Sequence, residues 1–158
     1  MNTRRFLLAV FGFSTLWMAT HASRAAESAE ATPMIAELLW GTDADKPAGK
    51  DFKPVAPEIE RKLRKIFKWK NYFIIERKPF EVSTAKPAKV EMSKDCRLEL
   101  TALSDGEFEI QLFGKGKLVV KKKQRIQPGE TVLLGGDDKN DESWWVVVTT
   151  HKPGAAPK

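Results

Sequence analysis

The sequence predicts a mainly β, α+β protein: an antiparallel β-sandwich or half-open barrel with a C-terminal meander and one amphipathic helix packed on the sheet. Three observations carry this. From residue 97 onwards, apolar and polar residues alternate in short runs separated by turn residues. Only residues 58–68 repeat their apolar side chains at helical spacing. The strongest run of aromatic and β-branched residues, SWWVVVTT at 143–150, falls near the end of the chain, where a meander would close.

Residues 1–25 read as a cleaved signal peptide, with Arg4 and Arg5 ahead of an apolar run at 6–19 and with Ala22 and Ala25 as small-residue cleavage positions. The run is shorter than the roughly 20 residues that cross a bilayer, so cleavage is expected over its competitor, a retained anchor. TRRFLL at 3–8 resembles a relaxed twin-arginine signal, and Arg24 adds a charge near the cleavage region, but the motif is so short that a general secretory leader starting with two arginines is the preferred reading. Cys96, the single cysteine, lies far from the leader and cannot carry a lipid there. The expected location is therefore periplasmic or secreted, with no stable membrane span after cleavage. Losing Arg4, Arg5 and Arg24 from 27 basic and 21 acidic residues lowers the net charge from +6 to +3. So mild an excess gives no general case for a nucleic-acid partner, which export would in any event place out of reach.

Residues 26–32 are expected to form a flexible linker, and residues 33–151 a single β-rich domain. MIAELLW at 34–40 fits a short helix or a strand, and the expectation leans to a strand. Pro47, Pro54 and Pro57 with Gly41 and Gly49 predict an irregular loop over 41–57. The helix comes next. Pro57 suits its first turn, Glu58 and Glu60 lie at the positive end of its dipole, and Arg64, Lys65 and Lys68 gather at the negative end. Ile59, Leu63, Ile66 and Phe67 form one apolar stripe, which must bury against a sheet, while Arg61, Lys62, Arg64, Lys65 and Lys68 occupy the other face.

Trp69 and residues 72–75 predict a strand over 69–76, apolar on both faces as a central strand would be. Pro79 and Pro87 restrict the next stretch to short or edge strands, with residues 89–92 a candidate. Beyond them, 97–102 and 107–113 alternate about a turn at Ser104-Asp105-Gly106. A three-residue loop at 114–116 would set Glu109 against Lys121 and Ile110 against Val120, and this pairing of charge with charge and apolar with apolar selects it. Pro128-Gly129-Glu130 is the next turn, 131–134 a strand, 135–142 a polar connection, and 143–150 the last strand, in which Trp144 and Trp145 must point to opposite faces. Residues 152–158 read as a disordered tail.

Catalytic residue types are scarce. His21 leaves with the leader, and the remaining histidine, His151, has no cysteine beside it in sequence. Cys96 precedes the alternating Leu98 and Leu100 and is expected as a half-buried thiol rather than a nucleophile. The glycines at 114 and 116 read as a hairpin and not as a phosphate loop. Asp137, Asp138, Asn140, Asp141 and Glu142 offer oxygen ligands for calcium, but Lys139 interrupts them where a calcium loop would carry an acid, and a solvated loop is the plainer reading. No metal, cofactor or enzymatic activity is expected. What remains is a surface: Arg61, Lys62, Arg64, Lys65, Lys68 and Lys70 with Trp144 or Trp145. It suits an exported, non-enzymatic binding or assembly-accessory domain of the cell envelope that contacts an envelope protein, or alternatively a carbohydrate- or polyanion-binding module.

Overall fold

A computed structural model describes residues 31–45, 52–137 and 143–150. The expected leader, the tail, His151 and the acidic residues 138–142 lie outside the described residues. The described chain is mostly antiparallel β-structure in two sheets with one helix, in agreement with the expected class. One sheet has five strands: β2 (Lys53–Pro54), β3 (Asn71–Val82), β1 (Thr32–Thr42), β9 (Ser143–Thr150) and β8 (Thr131–Asp137), in that order. The other runs β4 (Ala88–Ser93), β5 (Cys96–Ala102), β6 (Glu107–Gly114) and β7 (Lys117–Arg125). The predicted C-terminal meander is thus divided: β4 to β7 form one sheet, and β8 and β9 cross to the other. The crossing is made by the turn at 127–130, where Gly129 takes a φ of +83° and the Glu130 amide bonds the Gln127 carbonyl at 2.9 Å. Thr150 secures that turn to β9, its hydroxyl donating to the Gln127 carbonyl at 2.6 Å and accepting from the Gly129 amide at 2.9 Å.

Between the sheets lies the main core. Met34, Ala36, Leu38, Val132, Leu134, Val146 and Val148 face Leu98, Leu100, Phe108, Ile110 and Leu112. The helix α1 (Pro57–Ile66) covers the opposite face of the five-stranded sheet, where Leu63 is fully buried in a second cluster with Leu39, Val55, Tyr72, Trp145 and Val147. The layers are therefore helix, five-stranded sheet and four-stranded sheet. Trp145 points to the helix side and Trp144 to the sandwich side, on opposite faces as alternation requires.

β1 is the central strand, not the segment at 69–76, because β1 is the one flanked along most of its length by β3 and β9. β3 changes face within itself. Leu38 pairs with Glu76 and Leu39 with Ile74, so Ile75 is the extra residue of a bulge. Before it Tyr72 and Ile74 pack under the helix; after it Phe80 and Val82 enter the sandwich. Pro79 sits inside β3 without disrupting the sheet, since β2 covers the far edge only at Phe73 and Ile74.

Several boundaries depart from expectation. The 41–57 segment is not wholly irregular, because Gly41 and Thr42 complete β1 and Lys53–Pro54 is a short strand. Residue 32, placed in the linker, already belongs to β1. The helix stops at Ile66: Phe67 is extended (φ −119°, ψ 153°), and its amide closes the last turn on the Leu63 carbonyl at 2.8 Å. Ile66 is consequently 67% exposed rather than part of the buried stripe, and Lys68 lies beyond the helix. The β6–β7 hairpin turns on two residues, not three. Lys115 and Gly116 both have positive φ (49° and 76°), and a bulge at Val119 restores the inward pattern, so that Leu112 pairs with Val120 and Ile110 with Lys122. The expected Glu109–Lys121 ion pair forms all the same, at 3.2 Å, along the diagonal.

Candidate functional site

The basic residues singled out in the sequence stand on the helix and the chain just after it, and all six are exposed. They are not equivalent. Arg64 pairs with Glu60 at 2.7 Å one turn earlier, reaches the Lys70 carbonyl at 2.7 Å and the Trp69 carbonyl at 3.5 Å, and stands 5.5 Å from the centre of the Tyr72 ring. It fastens the helix to the chain entering β3. Tyr72 adds to the same join by donating its hydroxyl to the Phe67 carbonyl at 3.2 Å; burial raises that phenol above its ordinary range. Arg61 bonds the Pro57 carbonyl at 3.4 Å, within its own helix. The ammonium groups of Lys62, Lys65, Lys68 and Lys70 form no ion pair among the described residues, although the Lys70 amide donates to the Asp43 carboxylate at 2.9 Å, and the Lys68 ammonium stands 5.5 Å from the centre of the Trp69 ring.

Beside Lys68 the C-terminal end of the helix opens a groove. Ile66, Phe67, Lys68 and Trp69 line one wall, Gly135, Ser143 and Trp145 the other, around about 620 Å³. The groove exists because three local events coincide. The extended Phe67 carries the chain out of the helix, Gly135 leaves one position of β8 without a side chain, and Trp145 lies close across Gly41. Phe67 and Trp145 stack at a tilt, with centroids 4.4 Å apart, and so join the two walls.

The two tryptophans separate in role. Trp145 is 2% exposed and offers the groove an edge, not an open face. Trp144 is half-buried over Gly114 at the end of the sandwich, and Trp40 is its direct partner across the β1–β9 ladder. Trp144 therefore belongs to a different surface from the helix lysines. Periodicity does not reveal Ile66, Phe67, Gly135 or Ser143 as groove residues, because it places the first two in the buried stripe, Gly135 in a connection and Ser143 at the start of a strand. The usable signal was the extended-favouring run that begins at Phe67, which competes with the last helical turn.

Cys96 is buried and unpaired, and the low-dielectric core pushes its thiol up to about 11. The thiolate that nucleophilic chemistry needs is thus suppressed. Among the described residues no cluster of three or more histidine, cysteine or carboxylate side chains could hold a metal, and no helix is long and apolar enough to cross a membrane. Comparison with protein families, with curated proteins and with solved structures finds no match to this chain. Architecture and surface together describe a helix-covered β-sandwich with an aromatic-lined groove that Lys68 borders.

Proposed function

We propose that this chain is an exported, non-enzymatic binding domain of the cell envelope, periplasmic or secreted, that docks an acidic protein partner at the end of its helix layer. The observation that carries the reading is an apolar groove lined by Lys68, at the end of a helix whose Lys62 and Lys65 are exposed and form no ion pair among the described residues. Ile66, 67% exposed at that lip, supplies the apolar contact. An isolated run of surface lysines is ordinary; lysines around aromatic surface match the anatomy of a contact site, with an apolar centre and a charged rim. The test is crosslinked capture from an envelope extract. Wild-type protein should retain a specific partner, and the combined Lys62→Glu, Lys65→Glu, Lys68→Glu variant should lose it. Arg64 is left intact because it holds the helix. Equal capture by both proteins defeats the reading.

A second reading, a carbohydrate- or polyanion-binding module, is favoured by the Lys68 ammonium over the Trp69 ring at the lip of the groove, a pairing suited to an anionic sugar. It predicts retention on heparin that falls steeply with salt and is lost in the same triple variant. Retention unchanged by the reversal removes it.

A further inference from the structure

The two sheets meet closely on one side, at β3 and β4, and approach again at β7 and β8, the last strands of their respective sheets. Three of the four sheet edges carry the features that block strand addition. β7 presents Lys117, Lys121, Lys123 and Arg125 and is bulged at Val119. β4 is short, bulged at Met92 and carries exposed Lys89 and Glu91. The far edge of β3 is covered by β2 and then interrupted by Arg77 and Pro79. β8 has none of these. Its first six residues, TVLLGG, are uncharged, and its ladder to β9 runs over seven pairs with no shift in register. That ladder begins with the Thr150 amide bonded to the Glu130 carbonyl at 3.2 Å, so alternation turns the backbone groups of Thr131, Leu133, Gly135 and Asp137 away from β9. No other described strand pairs with that edge.

Each face beside the edge carries one lysine, and acids stand only at its two ends, Glu130 just before β8 and Asp137 as its last residue. On the sandwich side, Lys122 pairs with Ile110 and so points inward from β7, and it has no acidic partner among the described residues. Burial lowers its ammonium below the ordinary lysine range, as a partly desolvated cation requires. On the helix side, Gly135 opens directly into the groove, which Lys68 rims.

We propose that an extended acidic segment of the partner adds to β8 as a sixth strand of the five-stranded sheet, placing an apolar side chain beside Gly135 in the groove and a carboxylate towards Lys122. Main-chain hydrogen bonds at Thr131, Leu133 and Gly135 give the affinity, and the groove on one face with Lys122 on the other selects an acidic-apolar repeat. A second copy of this chain fits the edge poorly: its β8 brings no acid before Asp137, and the pairing would set two lysine-rich β7 strands side by side. The inference rests on the protein-binding reading above but concerns a different surface element, and its test separates the two.

The probe is a blocked heptapeptide, Glu-Val-Glu-Phe-Glu-Thr-Glu, titrated into the full mature chain and followed by amide hydrogen exchange. Binding should slow exchange at Thr131, Leu133 and Gly135, whose amides point to the edge. It should weaken by about tenfold or more in Leu133→Pro, which removes an edge donor and leaves the β9 ladder whole, and in Lys122→Glu. Should Leu133→Pro fail to fold, Lys122→Glu and the wild-type exchange pattern decide. The proposal is overturned if the peptide does not bind, if it binds without protecting those amides, or if a homodimer already protects them. Envelope capture lost in the lysine triple variant but unchanged in Leu133→Pro would overturn strand addition while leaving the basic-face reading in place.

Discussion

A methyl group at Gly41 would lie 2.5 Å from two ring carbons of Trp145 and 2.8 Å from the Trp69 ring, closer than real contacts allow. Trp145 cannot retreat, because Phe67 and Tyr72 pack against it and it is almost wholly buried. Gly41→Ala should therefore destabilise the protein by about 1–3 kcal/mol, as overpacking does, measured by urea unfolding; an unchanged midpoint would show that the ring shifts freely. Glu37 makes a second residue-scale case. It sits on β1, 9% exposed, with Arg77 3.5 Å away. Burial raises its carboxyl above the usual range, and Arg77 offsets this only in part. A carboxyl whose folded pKa is raised contributes stability that is complete below the unfolded value of about 4.5 and is lost as pH rises through the folded value. Glu37→Gln should accordingly remove a fall in stability on going from about pH 4 to 7, so that variant and wild type diverge most at neutral pH. Parallel pH profiles would contradict the assignment.

At the scale of elements, α1 illustrates how little of a helix its own sequence secures. Ten residues are too few to be stable alone in water, and the helix persists because Leu63, Ile59 and Phe67 cover Leu39, Trp145 and Val147. Leu63→Asp should release it: helical signal in far-ultraviolet circular dichroism should fall, and tryptophan emission should shift to the red as Trp145 and Trp69 gain water. Retained emission would show that the sheet, not the helix, shields Trp145. The β-bulges act at this scale too. Ile75 and Val119 are each surplus to the pairing and remain partly exposed (39% and 42%), whereas Met92, the extra residue of β4, is buried in the main core. Removing the face change at Ile75 would carry Phe80 and Val82 out of the sandwich, so that one residue lets a single strand serve two cores.

For the whole molecule, the main core is built from both sheets, and Cys96 sits in it. Its thiol, held up to about 11, should resist an aromatic disulfide reagent at pH 8 in the native protein and react at a rate set by global unfolding. In Leu63→Asp the same thiol should stay protected after the helix is lost, because the helix and Cys96 belong to different clusters. Loss of the helix and exposure of the thiol at the same denaturant concentration would mean that the two clusters form one cooperative unit.

Periodicity and turn chemistry within a few residues were enough to establish the class, the helix start at Pro57, the hairpin strands from Cys96 to Gly114, and the opposed faces of Trp144 and Trp145. The six cations were legible as well, because charge can be read without a fold. Long-range packing chose which strands share a sheet, where the bulges fall, and that Arg64 is a clasp while Lys62, Lys65 and Lys68 are not. A bulge costs little locally and is selected by the residues that the distant partner strand must bury; Val119 is extra only because Leu112 needs Val120 opposite it. The groove was hidden for the same reason. Phe67 and Ile66 satisfy a helical stripe in sequence, but the contact between Phe67 and Trp145, 78 positions away, takes Phe67 out of the helix and leaves Ile66 in water.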